Sequence, residues 1–146
     1  MTDLQKASRL LTEGNYTCVL CKDEKTHTSA ERGVRPLVEW FESNENFEGF
    51  SAADKVVGRG AAFLYVLLGV RAVYANVISY TAIEVLHAYG VAVEYNTAVG
   101  NIINRKGDGI CPFEETVLGI TDAKEAYRAI KQKMHGMGLV SKGEQK

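Results

Sequence analysis

The sequence lacks three features that would each assign the protein to a particular class. Seventeen basic residues stand against eighteen acidic ones, so general nucleic-acid binding, which needs a basic excess, is excluded. The longest apolar run, Ala61–Val70, is too short to cross a bilayer, which takes roughly 20 residues, so we expect no membrane contact. The segment Met1–Leu11 is polar and typical of an amphipathic helix, so we expect no export signal.

Cysteine is scarce as well. Three cysteines without an export signal favour reduced thiols and a cytoplasmic protein. Cys18 and Cys21 have the spacing of a redox or metal-binding pair, but their segment is typical of a strand, in which they point to opposite faces. His27 alone does not complete a zinc site. We therefore expect no metal site and no cofactor.

The patterns along the chain predict one domain over residues 1–140 and a flexible tail over 141–146. A hairpin comes first, and strands then alternate with helices, which implies parallel pairing of the later strands. The sequence therefore predicts an α/β fold of three layers, α/β/α, around a mixed sheet. The predicted helices are Thr2–Thr12, one from Pro36, Asp54–Leu68, Thr81–Tyr89, Cys111–Leu118 and Asp122–His135, and the predicted strands are Tyr16–Lys22, Thr26–Ser29, Val70–Asn76 and Val91–Tyr95.

The stretch Asp54–Leu68 is the most apolar long segment of the chain. Charged residues and glycines occupy its first half, and an almost unbroken apolar run fills its second half. A helix that is apolar nearly all round is buried. We therefore interpret the stretch as a central helix and expect the candidate site at its polar start.

The start of this predicted helix carries the residues of an anion site. A helix N-terminus leaves backbone N–H groups unpaired and carries a partial positive charge. Gly58 would let a ligand approach the backbone, and Lys55 and Arg59 would bind a carboxylate or phosphate. The glycine pattern that begins at Gly58 is not a dinucleotide-binding fingerprint. Phe63 occupies the third glycine position, and no strand is expected before the motif. The structural alternative is that the glycines serve helix packing while Asp54 caps the helix and the two cations are solvated.

A second candidate site lies at Cys111–Glu115. Cys111 would precede a short helix with Pro112 in its first position, and a helix N-terminus makes a thiol a better nucleophile. Glu114 and Glu115 would oppose this effect through their charge, but one of them could act as a general base. The alternative is a small buried cysteine at a turn, with the glutamates as ordinary first-turn residues.

The succession of a hairpin, helix, strand, helix and strand resembles the cytidine-deaminase-like fold. The pairing of Asp54–Gly58 with Gly109–Glu114 is similar to that of a small bacterial family of unknown function placed in that superfamily. The resemblance covers roughly Leu4 to Met134 and implies a fold, but no activity.

True deaminases of that superfamily hold zinc at the starts of two helices. The first supplies a His or Cys followed by a catalytic Glu, and the second supplies Pro-Cys-x-x-Cys. The resemblance puts these starts at Asp54–Lys55 and Ser79–Thr81, where no cysteine or histidine stands. It therefore implies the fold without zinc deaminase chemistry.

Two functions remain open at this point. The first is binding of a small anionic or nucleotide-like ligand near Asp54 and Ser79. If it is enzymatic, Cys111 would be the nucleophile and Glu114 or Asp54 the base. The second is a non-catalytic scaffold that forms a homo-oligomer. The residues expected to bind the ligand are Lys55, Gly58, Arg59, Ser79 and Thr81, and those expected in a self-association surface are Phe47, Phe50, Tyr127, Ile130 and Met134.

Overall fold

The computed structural model describes residues 1–104 and 106–138, so the predicted tail at 141–146 lies outside the described residues. Six helices and five strands lie within this part of the chain. In chain order they are α1 (Asp3–Glu13), β1 (Cys18–Lys22), β2 (Lys25–Ser29), α2 (Arg35–Glu42), β3 (Ser51–Val57), α3 (Arg59–Leu68), β4 (Ala72–Ser79), α4 (Tyr80–Ala88), β5 (Ala92–Val99), α5 (Pro112–Thr116) and α6 (Ala123–Gly136).

Local capping chemistry sets the first and last helices. The Thr2 side chain accepts a hydrogen bond from the Gln5 backbone, and the Gln5 side chain accepts one from the Thr2 backbone, which forms a capping box. Asp122 caps α6 by accepting a hydrogen bond from the Glu125 backbone. The sequence prediction of both helix starts is confirmed.

The sheet is mixed, as predicted, and its strand order is β2-β1-β3-β4-β5. Strand β1 pairs antiparallel with both β2 and β3, whereas β3, β4 and β5 are parallel. Alternation along β1 separates the two faces of the sheet. Val19 packs with Ala7 and Leu11 of α1, and Leu20 packs with the cluster formed by helices α2 to α6. Helices therefore cover both faces, which gives three layers.

The single helix predicted from Asp54 to Leu68 is wrong in its first part. Asp54 lies within β3, paired with Ala75 of β4, and the helix begins only at Arg59, after Gly58. A short apolar strand buried on both faces cannot be distinguished from a buried helix by periodicity. Asp54 is therefore not a helix cap, and a strand does precede Gly58.

The predicted self-association surface is wrong as well. Phe47 and Phe50 are each 3% exposed, and their rings meet edge to face 5.3 Å apart. Ile130 and Met134 of α6 are 0% and 2% exposed and belong to the main core. Tyr127 is half-buried and donates a hydrogen bond to Glu42. These side chains hold the core together and are not available to a partner.

Across residues 1–104 and 106–138, no helix has both the length and the apolar composition needed to span a bilayer.

Candidate functional site

The candidate site lies at the carboxyl ends of β3 and β4. Val57 and Ile78 are register partners, so Gly58 and Ser79, which follow them, begin two adjacent connections into α3 and α4. In open α/β sheets, ligands bind at this edge of the strands. The structure brings Arg59, Ser79 and Thr81 together here with Glu114 of α5, and we call these four residues the Glu114 cluster.

Glu114 is the centre of this cluster and is 1% exposed. Its Oε1 accepts a hydrogen bond from the Arg59 backbone N–H at 3.1 Å and one from the Thr81 hydroxyl at 3.4 Å. Its Oε2 accepts a hydrogen bond from the Ile102 backbone N–H. A carboxylate at a helix N-terminus is stabilised by the positive end of the helix dipole. The protein's own carboxylate therefore occupies the position at the start of α3 that the sequence assigns to a ligand.

The Arg59 guanidinium, expected to hold a ligand, binds backbone carbonyls of the protein itself. Its Nε donates to Val117 at 3.1 Å and its Nη2 to Ile120 at 2.6 Å. Its Nη1 donates to the Thr81 carbonyl at 3.4 Å, and its Cζ lies 5.2 Å from the centre of the Phe63 ring. Arg59 therefore ties α3 to α4 and to the segment after α5.

Ser79 and Thr81 also have internal hydrogen bonds. Ser79 is fully buried and caps α4, because its Oγ accepts a hydrogen bond from the Ala82 backbone at 3.2 Å. The predicted capping box, which began at Thr81, is wrong by two positions. The two hydroxyl oxygens lie 3.3 Å apart, and that of Thr81 reaches Glu114. Within the cluster, Ser79 therefore caps α4, and Thr81 connects α4 to Glu114 of α5.

The glycines bring α5 close to α3. A Cβ at Gly58 would lie 3.4 Å from Glu114 Oε1 and 3.2 Å from Ile102 Cγ1. A Cβ at Gly60 would lie 2.9 Å from the backbone oxygen of Phe113, closer than real Cβ atoms approach. Helix packing, the structural alternative, accounts for both glycines without a ligand.

Cys111 precedes α5, as predicted, and is half-buried. Its carbonyl accepts hydrogen bonds from the backbone of Glu114 and Glu115, each at 3.0 Å, and its own N–H donates to Ile102 at 2.7 Å. Its side chain makes no capping hydrogen bond. The nucleophilic role of Cys111 stays a prediction, and Glu114, predicted as a base, is buried and hydrogen-bonded.

Asp54 lies apart from this cluster, on β3. Its Oδ2 accepts a hydrogen bond from the Tyr65 hydroxyl at 2.6 Å, and its Oδ1 accepts one from the Val56 backbone. Tyr65 stands six residues after Arg59, which is about 9 Å further along α3. Burial raises the pKa of Asp54 to about 7, and burial beside this carboxyl also raises the pKa of the Cys18 thiol. Lys55 is exposed, so the structure does not bring it to the cluster.

Cys18 and Cys21 point to opposite faces of the sheet, as predicted. Cys21 packs with the α1 side, and Cys18 is the register partner of Asp54. Among residues 1–104 and 106–138, no three His, Cys, Asp or Glu side chains are grouped so that they could hold a metal ion.

The hydrogen-bond partners of these side chains were not predicted from the sequence. Tyr65 stands in a nearly continuous apolar run, and a buried tyrosine hydroxyl usually finds a hydrogen-bond partner, which is a signal that could have connected it to Asp54. The backbone groups of Ile102, Val117 and Ile120 left no such signal, because every residue carries the same N–H and C=O groups.

The comparisons with known proteins agree with one another. The family model described as "Domain of unknown function (DUF1893)" matches residues 6–134. The crystal structure of a DUF1893 family protein (TM1506) from Thermotoga maritima is similar, with 27% sequence identity, a TM-score of 0.82 and coverage of 91% of each chain. No curated protein matches the chain. Because the family model spans most of the sequence, the chain belongs to the DUF1893 family, whose function is unknown.

Proposed function

We propose that this protein is a non-catalytic interaction protein, which offers binding surfaces and no reactive groups. The observation that carries the proposal is the environment of Glu114, whose two carboxylate oxygens accept hydrogen bonds from Arg59, Thr81 and Ile102. A general base must reach the proton that it removes. At 1% exposure, the Glu114 carboxylate does not meet solvent or a substrate.

The surroundings of Asp54, which was predicted as a base, and of Arg59, which was predicted to bind a ligand, support the same conclusion. Asp54 lies inside the sheet–helix layer and accepts the Tyr65 hydroxyl, away from the cluster. Arg59, which could stabilise negative charge in a reaction, binds carbonyl oxygens instead. Electrostatic catalysis needs donors aimed at a space where charge develops, and these donors are aimed at the protein's own backbone.

A second candidate function is binding of a small anion, which one specific observation favours. The Glu114 carboxylate already occupies the start of α3 and accepts the Arg59 backbone N–H there. A ligand carboxylate or phosphate that displaced it would meet the same donor together with the Thr81 hydroxyl. Displacement would have to open the packing of α5 and expose Glu114, so the internal carboxylate competes with any external one.

For the fold we propose the cytidine-deaminase-like class, with a corrected placement of its two helices. In this chain the helices that follow the hairpin and β3 are α2 and α3. They begin at Val34–Arg35 and Gly58–Arg59 rather than at the positions expected from sequence. Neither start carries a cysteine or histidine, so the proposal that this is not a zinc deaminase stays unchanged under the corrected placement.

A thermal-shift screen separates the two candidate functions. Inorganic phosphate, citrate and AMP are tested on the wild type, on Glu114→Gln, and on Glu24→Gln, an exposed control. The non-catalytic proposal expects no rise in Tm in any of the three proteins. A rise that is larger in Glu114→Gln than in the wild type would establish the anion site, since the neutral amide competes less well for the α3 start.

Alkylation of Cys111 tests catalysis directly. Cys18 and Cys21 are buried, so we expect Cys111 to be the thiol that reacts fastest. The Cys111→Ser variant is the control that lacks this thiol. We expect Cys111 to react no faster than glutathione at neutral pH. Faster reaction would show an activated thiolate and would overturn the non-catalytic proposal.

A further inference from the structure

The sheet ends in two edges of different character. The β2 edge has five residues, Lys25–Ser29, with a lysine at its start and hydroxyl or imidazole side chains after it. The β5 edge has eight residues, Ala92–Val99, of which Glu94 alone is charged. Proteins protect edge strands from further pairing by shortness and by charge, lysine above all. By these criteria the β2 edge is protected and the β5 edge is not.

The outer side of β5 carries unpaired backbone groups. Strand β5 stands last in the sheet, beside β4, and within residues 1–104 and 106–138 no strand lies on its other side. About half of the backbone N–H and C=O groups of an edge strand point away from the sheet. These groups lie along the full eight residues of β5.

Apolar side chains flank this edge. Tyr95 of β5 is 48% exposed, and Tyr80 at the start of α4 is 58% exposed. Thr81 of α4 turns toward Glu114 and α3. Ile83 comes two residues later, about 160° round the helix, so it turns away from α3 and toward the β5 side. We call the outer edge of β5, together with the exposed side chains of Tyr95 and Tyr80, the β5 surface.

We propose that the β5 surface binds a second copy of this chain, with the two β5 strands antiparallel about a two-fold axis. The inference rests on the proposed non-catalytic function and names its partner. The result is one sheet of ten strands, because each copy contributes the five strands of its own sheet.

Self-complementarity favours a second copy over an unrelated partner. A strand edge paired antiparallel with its own two-fold copy places unpaired N–H groups opposite unpaired C=O groups along its whole length. One acidic residue per edge brings little repulsion, provided that Glu94 does not lie opposite its equivalent.

The test compares one substitution on the two edges. Thr97 on β5 and Thr28 on β2 are both exposed, and each is replaced by lysine. Sedimentation velocity over a range of concentrations then measures the mass of the wild type, Thr97→Lys and Thr28→Lys. Tm and circular dichroism verify that all three proteins fold.

We expect the wild type at high concentration to have twice the 16.0 kDa mass of one chain. Thr97→Lys should raise the dissociation constant roughly tenfold or more, because a lysine on an edge strand opposes pairing with a further strand. Thr28→Lys should dimerise like the wild type. Hydrogen exchange at high concentration should protect backbone N–H groups of β5 in the wild type and lose that protection in Thr97→Lys.

Three outcomes would overturn the inference. The wild type could be a monomer throughout, Thr97→Lys could dimerise as tightly as the wild type, or a chain ending at residue 138 could dimerise when the full chain does not. The last result would make residues 139–146 the occupant of the edge. None of these outcomes produces a ligand-induced Tm shift or a fast-reacting thiol, so failure here is distinct from failure of the non-catalytic proposal.

Discussion

The Glu114 cluster and the β5 edge use their hydrogen-bonding groups in opposite ways. In the cluster, charged side chains that the sequence would suggest for ligand binding hydrogen-bond to the protein's own backbone. At the edge, ordinary backbone groups have no partner strand within residues 1–104 and 106–138. Charged residues in a sequence motif therefore do not by themselves show where a partner or ligand binds. Groups whose hydrogen bonds are already made stabilise the fold, and groups whose hydrogen bonds are open are available to a partner.

The two regions are also expected to affect different properties, the cluster the stability of the fold and the edge the association of two chains. Buried polar groups that lose a partner destabilise the fold strongly, because the remaining donors cannot reach water. Exposed edge groups bind water when no partner is present, so they carry no such penalty in the single chain. Substitutions in the cluster should therefore lower the free energy of unfolding, and substitutions at the edge should change only the mass of the assembly.

The largest effect is expected from Glu114→Ala. It leaves the N–H groups of Arg59 and Ile102 buried without their acceptor, at a cost of about 3–5 kcal/mol in the free energy of unfolding. Urea denaturation measures this loss, with Glu115→Ala, an exposed neighbour, as the control. A loss of less than about 1 kcal/mol in the free energy of unfolding would show that the cluster does not stabilise the fold. The contrast between the cluster and the β5 edge would then be wrong.

The carboxyl of Asp54 should make the free energy of unfolding depend on pH, with an effect of similar size. Its pKa is about 7 in the folded chain against 3.8 ordinarily, so between these values the unfolded chain has lost a proton that the folded chain keeps. Stability should therefore fall as pH rises from 4 to 7, by up to about 4 kcal/mol, and then stay level.

Asp54→Asn removes this titration. The variant should be more stable than the wild type above pH 7, and the decline between pH 4 and 7 should shrink, as urea denaturation at several pH values would show. Glu24→Gln, an exposed substitution, should leave the decline intact. An equal decline in Asp54→Asn would mean that another group is responsible.

Gly60→Ala tests the close approach of α5 to α3. The added Cβ would lie 2.9 Å from the Phe113 carbonyl oxygen, so α5 must shift, at a cost of about 1–3 kcal/mol. Gly136→Ala on α6 adds the same methyl group where nothing lies within 4 Å, and it should be neutral or slightly stabilising. Equal Tm changes in the two variants would contradict the packing role of Gly60.

The smallest effect on stability is expected from Thr97→Lys and Thr28→Lys. Both side chains are exposed, so each free energy of unfolding should change by less than about 0.5 kcal/mol when measured at a concentration where the chain is monomeric. A loss well above this in Thr97→Lys would mean that lysine disturbs the β4–β5 pairing. The mass comparison would then be repeated with Asn96→Lys.

Much of the fold could be predicted because local chemistry determines it. The Thr2 and Asp122 caps, the β1–β2 hairpin and the start of α5 after Cys111 all depend on residues within a few positions of one another. Mixed strand pairing follows from the order of hairpin and crossovers. The division of Asp54–Leu68 into β3 and α3 could not be predicted, since neither part shows the period of its element.

Some of the residues predicted for the candidate site meet in the structure, and Asp54 and Lys55 do not join them. Ser79, Thr81 and Glu114 do meet, because β3 and β4 end side by side. That Glu114 occupies the α3 start depends on α5 folding back across it, which no local pattern encodes. The two segments that resemble the family motif, Asp54–Gly58 and Gly109–Glu114, meet through the contact of Gly58 with Glu114.

Composition and neighbouring residues were enough to predict the α/β architecture, the mixed sheet and the starts of α1 and α6. Only the folded chain shows that Arg59 binds carbonyl groups, that Phe47 and Phe50 lie in the core, and that no strand of residues 1–104 and 106–138 lies on the outer side of β5. The role of a side chain depends on the groups that pack against it. Those groups come from distant parts of the chain, so no local pattern reveals them.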